Sequence, residues 1–400
     1  AAIARMDRAL REFRIRGVST NIAFVENLLK HPTFLNYEYT TSFIDKTPDL
    51  FKFSKRRDRA TKILTYIADI TVNGHPETQG RALPASDLKP PKAPIAARDR
   101  AQGTKDILTA QGPKGLADWM KAQDRLLLTD TTMRDGHQSL LATRMRSHDM
   151  VKIAPAYAAG LPGLFSVECW GGATFDVAYR FLQECPWQRL RDLRAAMPNV
   201  MTQMLLRASN GVGYTNYPDN VVQFFVRQAA QTGVDVFRVF DSLNWVENMR
   251  VAMDAVIEAD RVCEGTICYT GDILNPDRAK YDLKYYVSMA KELEAAGAHV
   301  LGLKDMAGLL KPAAAKALIG ALKQEVGLPI HFHTHDTSGI SGAAVLAAAE
   351  AGVDAVDAAM DAFAGGTSQP ALGSIVEALA HTERDTGLDI AEIRKISSYW

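Results

Sequence analysis

The chain has 400 residues, 47% of them hydrophobic and 23% charged, and its 46 Lys and Arg balance its 46 Asp and Glu. This composition is typical of a soluble globular protein. The zero net charge gives no case for nucleic-acid or membrane-surface binding, and no run approaches the roughly 20 apolar residues of a membrane span. The cysteines Cys169, Cys185, Cys263 and Cys268 lack C-x-x-C spacing. We therefore expect reduced thiols in a cytosol-like compartment.

The first part of the chain differs from the rest in its sequence pattern. Residues 1–50 predict one or two helices, beginning with AAIARMDRALREF, followed by an extended stretch, TTSFIDKTPDLF. RRDRATKILTYIADITVNG (56–74) predicts another amphipathic helix, stopped by Gly74 and Pro76. Residues 75–105 are rich in Pro and charge, which is typical of a linker or surface arm. Because the chain does not begin with Met, we interpret it as part of a longer polypeptide.

From about residue 111, short β-branched runs alternate with longer stretches of helical period. Several helical stretches close on a glycine placed as a C-cap. Eight such units over about 250 residues predict a (β/α)8 TIM barrel, because a doubly wound sheet would need a Gly-rich phosphate turn after its first strand. The predicted strands are 125–132, 164–170, 200–207, 236–242, 265–271, 300–306, 329–336 and 355–363.

Charged and metal-binding residue types recur where these predicted strands end. In a TIM barrel, the C-terminal strand ends and the loops after them form the active site. The residues at these positions are Arg134, Asp135, Gln138, Arg207, Asp241, Lys304, Asp305, His333 and His335. Scattered surface charge would not follow strand ends so regularly, so the pattern predicts one polar site at the barrel mouth.

The stretch HFHTHD places His331, His333 and His335 on one face of the seventh predicted strand. The Cβ atoms of alternate residues stand ~7 Å apart, so His333 and His335 can bind one divalent ion at ~2.1 Å each. Asp135 could supply an oxygen. A lone histidine would favour a hydrogen-bonded core residue, but this pair favours a metal site. His331 lies deeper and is predicted to pack or to support a ligand.

The remaining polar residues leave alternatives open. Lys304 offers only donors and cannot bind a metal, so the residues alone favour an ion pair with Asp305 or another carboxylate. Arg134 and Arg207 could each hold a carboxylate or phosphate through two hydrogen bonds, with ion pairs at the barrel rim as the alternative. FAGGTSQP (363–370) could receive a phosphate, although a plain loop is the favoured interpretation.

Six motifs within residues 111–400 together resemble the carboxyltransferase domain of the biotin-dependent pyruvate carboxylase family. They are DTTMRDGHQSLLATRMR, VECWGGATFDVAYRFL, LLRASNGVGYTNYPDN, FRVFDSLN, GLKDMAGLLKP and HFHTHDTSG. REFRIRGVSTNIAFVENLLKHPTF, within residues 1–50, resembles the C-terminal tail of the biotin carboxylase domain. Residues 51–110 resemble the allosteric linker region. The resemblance implies carboxyl transfer from carboxybiotin to pyruvate, which gives oxaloacetate.

The resemblance also implies the ligands of the metal. The family's matching lysine is carboxylated on its side-chain nitrogen, which turns a cation into an anionic oxygen ligand. Lys304 would then join Asp135, His333 and His335 around a zinc or manganese ion. On this view the lysine is part of the catalytic machinery and not a partner in an ion pair.

Substrate contacts follow from the same resemblance. Arg134, Gln138 and Arg207 would hold pyruvate, and Asp176 and Tyr214 would help to form the pocket for the biotin ring. The enolate of pyruvate would be stabilised electrostatically beside a metal and two arginines in a site that excludes water. Holding the enolate and CO2 together would remove the entropic cost of their encounter.

Further partners are implied outside the barrel: biotin on a carrier domain, ATP at a biotin carboxylase domain, acetyl-CoA as activator, and a homotetramer. Arg14, Arg16 and Arg59 match positions associated with acetyl-CoA activation. The sequence lacks the ATP-binding core and the carrier, and it stops at Trp400 before the family's proton-shuttling threonine. We therefore expect a C-terminally incomplete barrel that does not complete catalysis alone. A bacterial cytoplasm is the expected location, with the mitochondrial matrix as the alternative.

Three other functions share parts of this pattern. A subunit of oxaloacetate decarboxylase or transcarboxylase would share the barrel, the ligands and much of CWGGATFD. A metal-dependent aldolase or lyase would share the aspartate and the H-x-H pair, but it has no need of Lys304 or a biotin pocket. A regulatory or assembly fragment would use residues 1–110 to bind an effector. NGVGYTNYPDN and the biotin carboxylase tail favour pyruvate carboxylase.

Overall fold

The computed structural model describes residues 2–13, 15, 18–53, 59–75, 91–94, 101–278 and 280–400. The chain divides into two compact units, Ala1–Lys89 and Pro90–Trp400. The domain boundaries predicted after residues 50 and 110 stay predictions. Among the helices in the described ranges, none combines the length and apolar character needed to cross a bilayer.

The first unit is helical. Its helices are α1 (Ala2–Glu12), α2 (Ile22–Lys30), α3 (Pro32–Leu35) and α4 (Arg59–Asn73). The helix predicted over 56–74 is confirmed by α4. The predicted extended stretch over 40–51 is wrong: the chain turns repeatedly there and ends in a 3-10 helix, Pro48–Phe51. The Thr47 hydroxyl donates to the Phe43 carbonyl at 2.7 Å and Pro48 fixes the next backbone angle, which together favour a turn over a strand.

The second unit is a closed barrel of eight parallel strands in sequence order. The strands are β1 (Leu127–Asp130), β2 (Ser166–Gly171), β3 (Met201–Leu206), β4 (Val236–Phe240), β5 (Val262–Cys268), β6 (Val300–Asp305), β7 (Ile330–Thr334) and β8 (Ala355–Ala358). Each is buried along its whole length, as strands covered by helices on one side and by the barrel interior on the other must be. The predicted (β/α)8 barrel is confirmed.

Helices surround the strands. They are α5 (Thr104–Lys121), α6 (His137–Leu141), α7 (Ser147–Gly160), α8 (Gly172–Val177), α9 (Pro186–Ala196), α10 (Asp219–Thr232), α11 (Val246–Glu258), α12 (Leu283–Ala295), α13 (Pro312–Glu325), α14 (Ser341–Glu350), α15 (Leu372–Leu379) and α16 (Ile390–Tyr399). All four cysteines are free, as expected.

Most strand boundaries differ from the predictions by one or two residues, and the largest differences are at β5 and β8. β5 begins at Val262, before the predicted start at 265, because the barrel interior accommodates the charged Glu264 within the strand. β8 ends at Ala358, since Asp361–Phe363 forms a 3-10 turn. In a sequence, a charged residue beside an apolar run indicates the end of a strand. A barrel with a polar interior can nevertheless accommodate such a residue within the strand.

Helix α5 closes the N-terminal end of the barrel. It begins at Thr104, so the linker predicted up to residue 105 ends earlier than expected. A break at Gly112, with a φ of +70° that favours glycine, turns the chain between two helical parts. From α5, Leu108, Leu116 and Met120 pack beneath the strands. This apolar plug leaves the opposite end, where the strands finish, as the open mouth.

Candidate active site

A π-helical turn directly after β1, Thr132–Gly136, carries Arg134 and Asp135 into the barrel mouth. Asp130 holds the start of this turn, because its Oδ1 accepts hydrogen bonds from the Thr132 amide at 2.9 Å and the Thr132 hydroxyl at 2.6 Å. Arg134 and Asp135 are 1% and 3% exposed. A π-turn lets two consecutive residues both face the site, and such turns are frequent at functional sites.

Two of the three histidines that alternate along HFHTHD, His333 and His335, direct the same ring nitrogen to one point. His333 Nδ1 lies 2.5 Å from Asp357 Oδ2, and His335 Nδ1 lies 2.7 Å from the Thr367 carbonyl oxygen. Both Nδ1 atoms therefore act as donors, which leaves both Nε2 atoms with a free lone pair. The two Nε2 atoms are 3.0 Å apart. Two lone pairs at that separation repel each other unless a proton or a metal ion lies between them.

Asp135 completes a group that fits a divalent metal ion. Its Oδ2 is 3.3 Å from His333 Nε2 and 3.4 Å from His335 Nε2. Ligand atoms around a tetrahedral ion at ~2.1 Å stand about 3.4 Å from one another, so these spacings match. Oδ2 is buried and accepts no hydrogen bond within the described residues, although Arg134 Nη2 lies 3.2 Å away. The donor set therefore fits the zinc or manganese ion implied by the sequence.

Lys304, on β6, lies beside the same point. Its Nζ is 3.0 Å from His333 Nε2, and the residue is 4% exposed. The residues alone favoured an ion pair with Asp305 or another carboxylate. The pairing with Asp305 is wrong, because no ion pair joins the two side chains in the described residues and Asp305 instead accepts the backbone amides of Leu309 and Leu310, each at 2.9 Å. Burial lowers the pKa of Lys304, which favours the neutral, nucleophilic amine.

The protonation states suit metal binding. Burial, and then the nearby Lys304, hold the pKa of His333 well below its ordinary value, so its ring is neutral. Burial alone would raise the pKa of Asp135, but Arg134, His335 and Lys304 overcome this and hold it well below its usual range. A neutral imidazole and an ionised carboxylate are the forms that bind a metal.

The predicted pyruvate-binding residues lie around the mouth. Arg134 Nη2 donates to Glu168 Oε1 at 2.6 Å, and Arg134 Nη1 lies 3.5 Å from Gln138 Oε1. Arg207, just after β3, lies over the ring of Tyr214, with 5.2 Å between the guanidinium carbon and the ring centroid. One guanidinium is thus held in place by a buried carboxylate, whereas the other borders open space.

That space is a cavity of about 320 Å³ at the barrel mouth. Its lining residues are Arg207, Asn210, Gly213, Tyr214, Phe240, Asp241 and Ser242. Asp176, the other predicted biotin-pocket residue, forms an ion pair with Arg180 at 2.8 Å. No hydrogen bond in the described parts of the chain joins Asp176 to Tyr214. The geometry therefore groups Tyr214 with Arg207, and a shared biotin pocket stays a prediction.

Sequence reasoning missed a buried charged network below the metal-binding group. It consists of Arg238 on β4, Glu264 on β5, His331 on β7 and Asp357 on β8, each with no exposed surface. His331 matches its predicted supporting position. Burial lowers the pKa of His331, but Glu264 and Asp357 raise it to about 9, so the ring is protonated at neutral pH. The available signal was a charged residue within or directly next to each predicted strand, but apart from His331 the predicted site used only residues at strand ends.

Two other predicted positions have local roles. Asp241 accepts the backbone amides of Leu243 and Trp245, which orders the loop after β4. The loop 363–370 supports His335 through the Thr367 carbonyl, and Gln369 Nε2 lies 3.4 Å from His335 Nδ1. The plain-loop interpretation of 363–370 agrees with these contacts.

The predicted acetyl-CoA residues cannot be placed in the same way. Arg14 and Arg16 lie outside the described residues. The backbone of Arg59 begins α4, but its side chain also lies outside what the structure describes.

Two known protein families match parts of the chain. Residues 225–399 match the HMGL-like family, and residues 1–46 match the biotin carboxylase C-terminal domain. The chain is similar to pyruvate carboxylase of Bacillus subtilis, with 58% identity over 400 residues that cover 100% of this chain and 35% of that protein. The chain thus spans about a third of the length of the curated relatives it matches. Both bacterial and mitochondrial pyruvate carboxylases occur among these relatives.

Solved structures give the same result. The complete multifunctional pyruvate carboxylase from Rhizobium etli is 65% identical, with a TM-score of 0.78 over 100% of this chain and 37% of that chain. The carboxyl transferase domain of the same enzyme, solved with pyruvate and biocytin, is 66% identical, with a TM-score of 0.78 over 86% of this chain and 58% of that chain. The chain therefore belongs to the pyruvate carboxylase family.

Proposed function

We propose that the barrel transfers a carboxyl group from carboxybiotin to pyruvate and so forms oxaloacetate. The observation that carries the proposal is the grouping of Asp135, His333, His335 and Lys304 at one point of the mouth. The relative solved with pyruvate and biocytin supports the choice of both reactants. In the balanced reaction, a C–N bond of carboxybiotin breaks, a C–C bond to the pyruvate methyl carbon forms, and the methyl proton ends on the biotin nitrogen.

The metal centre of this proposal uses four side chains. Asp135, His333, His335 and a carboxylated Lys304 would hold zinc or manganese, both of which accept mixed nitrogen and oxygen ligands. When bound, the ion would act as a Lewis acid toward the negative charge of the enolate. Burial lowers the pKa of the Lys304 amine, which supports its carboxylation, because only the neutral amine can form an N–C bond with CO2 and then release a proton.

The substrate is held by side chains of this chain. Arg134, Gln138 and Arg207 would bind the carboxylate and keto oxygen of pyruvate. A guanidinium offers two parallel donors to a carboxylate, and the partner of Arg134, Glu168, fixes its orientation. Arg134 is almost completely buried, so its charge acts in a region that water does not screen. The enolate oxygen would develop its charge in this environment.

The same family supports wider proposals for the longer protein. Asp176 and Tyr214 would contact biotin, which is delivered on a carrier domain, and ATP would be used at the biotin carboxylase domain. A Rhizobium etli relative was solved with the allosteric activator acetyl coenzyme-A, which supports acetyl-CoA as an activator. We propose Arg14, Arg16 and Arg59 as the residues that take part in this activation. We also propose residues 1–50, 51–110 and 111–400 as tail, linker and barrel, a homotetramer, and a bacterial cytoplasmic location.

Label exchange tests the transfer directly. The intact polypeptide with biotin on its carrier domain should exchange 14C between pyruvate and oxaloacetate, and the same polypeptide prepared without biotin on the carrier should not. Exchange that does not need biotin would instead support a metal-dependent lyase, which would use Asp135 and the histidine pair in the same way. Exchange with biotin but no response to loss of the metal would contradict the proposed centre.

Replacement of Arg207 by Ala should weaken pyruvate binding by about 10- to 100-fold, because a charge-assisted hydrogen bond contributes about 1.5–3 kcal/mol. The dissociation constant can be measured on the 400-residue chain from the relaxation of pyruvate protons by bound Mn²⁺. Arg191→Ala is the control, since Arg191 lies on the outer helix α9 and contacts only Gln188 in the described residues. Equal pyruvate affinity in Arg207→Ala and the parent chain would contradict the clamp.

A further inference from the structure

Asp357 is a buried carboxylate that the proposed reaction does not use. It lies on β8, between Val356 and Ala358, and has no exposed surface. Its two oxygens serve different partners: Oδ2 faces His333 Nδ1 at 2.5 Å, and Oδ1 faces His331 Nε2 at 2.7 Å. Burying an ionised carboxylate without partners would cost free energy of folding. Both oxygens of Asp357 therefore need a hydrogen-bond or ion-pair partner.

The contact with His333 decides which nitrogen of that ring carries the proton. A carboxylate oxygen at 2.5 Å accepts from Nδ1–H, so Nε2 keeps its lone pair. That lone pair points to the place shared by His335 Nε2 at 3.0 Å and Asp135 Oδ2 at 3.3 Å. Arg238 Nη1 also lies 3.4 Å from His333 Nδ1, but the carboxylate is nearer and is the stronger partner.

Asp357 is itself fixed by groups on two other strands. The Arg238 guanidinium forms ion pairs with both Asp357 and Glu264. His331 Nδ1 lies 2.9 Å from Glu264 Oε2 and closes the network on its other side. Because all of these residues are on strands of one barrel, the carboxylate cannot move without disturbing several buried contacts. A rigid acceptor at this position keeps the imidazole from rotating.

We propose that Asp357 is a positioning residue that holds His333 in the Nδ1–H tautomer and directs Nε2 toward a bound metal. This inference rests on the metal centre of the proposed function. It distinguishes Asp357 from Glu264, which belongs to the same buried network and is equally buried but does not contact His333. If Asp357 had only a structural role, replacing Asp357 or Glu264 would change metal binding to the same degree.

A pair of isosteric variants separates the two roles. In Asp357→Asn, the amide oxygen would accept only weakly from Nδ1–H. Alternatively, the amide nitrogen would donate to Nδ1, which moves the ring proton to Nε2 and blocks metal binding. We expect the Zn²⁺ affinity of the 400-residue chain, measured by competition with a chromophoric chelator, to fall about 10- to 100-fold. Glu264→Gln should lower the melting temperature to a similar degree but change Zn²⁺ affinity far less. Equal affinity losses in the two variants would overturn the proposal.

The tautomer can also be observed without any metal. In the metal-free chain labelled with 15N-histidine, the ring nitrogen shifts of His333, assigned from their loss in His333→Gln, should show a proton on Nδ1. Asp357→Asn should lose this signature, and Glu264→Gln should keep it. If Asp357→Asn does not fold, the unmodified chain still decides, because a proton on Nε2 of His333 there would overturn the proposal.

The outcomes distinguish this inference from the function on which it rests. A parent chain that binds Zn²⁺ at one site, with an Asp357→Asn variant that binds it equally well, would overturn only the role of Asp357. A parent chain that binds neither Zn²⁺ nor Mn²⁺ would overturn the metal centre and this inference together. Both proposals would be supported if the parent chain binds one ion, Asp357→Asn binds it more weakly and His333 shows the Nδ1–H signature.

Discussion

Replacing Lys304 by Ala should abolish carboxyl transfer and lower the affinity for divalent metal by more than about 100-fold, since even a group that only supports a ligand contributes 10- to 100-fold. The amine lies 3.0 Å from His333 Nε2, and burial lowers its pKa. The variant removes the proposed carbamate oxygen and leaves two imidazoles and one carboxylate. Metal content by elemental analysis and label exchange in the intact polypeptide measure the two effects.

Two further observations test the carbamate. Lys291→Ala is the matched control, because this lysine lies on the outer helix α12, is half exposed and pairs only with Glu325 among the described residues. A short carboxylate such as formate should partly restore metal binding in Lys304→Ala by filling the vacated place. In the unmodified chain, removal of CO2 from the buffer should weaken metal binding. Full metal occupancy and normal exchange in Lys304→Ala would refute the ligand role.

Replacing Arg238 by Ala should lower the free energy of unfolding by about 3–5 kcal/mol, the usual cost of removing one partner of a buried ion pair. Arg238 has no exposed surface and forms ion pairs with both Glu264 and Asp357. Without it, two buried carboxylates keep only the ring of His331 as their cation. Denaturant unfolding of the 400-residue chain, followed by tryptophan fluorescence, measures the loss.

The control for Arg238→Ala is a surface ion pair. Arg394 lies 3.4 Å from Glu377, and their side chains are 69% and 51% exposed. Arg394→Ala should therefore change the stability by less than about 1 kcal/mol. Arg238→Met keeps most of the side-chain volume, so a loss close to that of Arg238→Ala assigns the effect to charge and not to packing. A loss in Arg238→Ala as small as that in Arg394→Ala would contradict the network.

The barrel could be predicted because the sequence patterns that indicate its strands and helices are local. Each strand is a short apolar run and each helix has an amphipathic period, and these patterns depend on neighbours in sequence. The strand ends could therefore be located well enough to predict that Asp135, Lys304, His333 and His335 meet at one mouth. The boundaries of β5 were displaced because Glu264 looked like the edge of the strand and instead faces the interior.

Other errors arose where a contact distant in sequence decides the outcome. From the residues alone, Lys304 was expected to pair with Asp305 or another carboxylate. The pairing with Asp305 fails because a strand alternates its faces, so the two side chains point in opposite directions. Asp305 is used by backbone amides of the following loop, and Lys304 by His333 on the next strand. The sequence before the barrel likewise did not predict that α5 closes the N-terminal end of the barrel. This closure depends on contacts between α5 and residues at the starts of the strands.

The sequence by itself determined the fold class, the mouth at which the polar residues gather and the H-x-H pair that suits a metal, because residue type and periodicity carry this information. Only the tertiary structure decided which ring nitrogens face one another, that Asp135 Oδ2 lies within 3.4 Å of both, and that Asp357 on β8 supports His333 on β7. The physical reason is closure of the barrel. Asp135 follows the first strand and the two histidines lie at the end of the seventh, so they become neighbours only when the last strand pairs with the first. Asp357 reaches His333 because β8 pairs with β7.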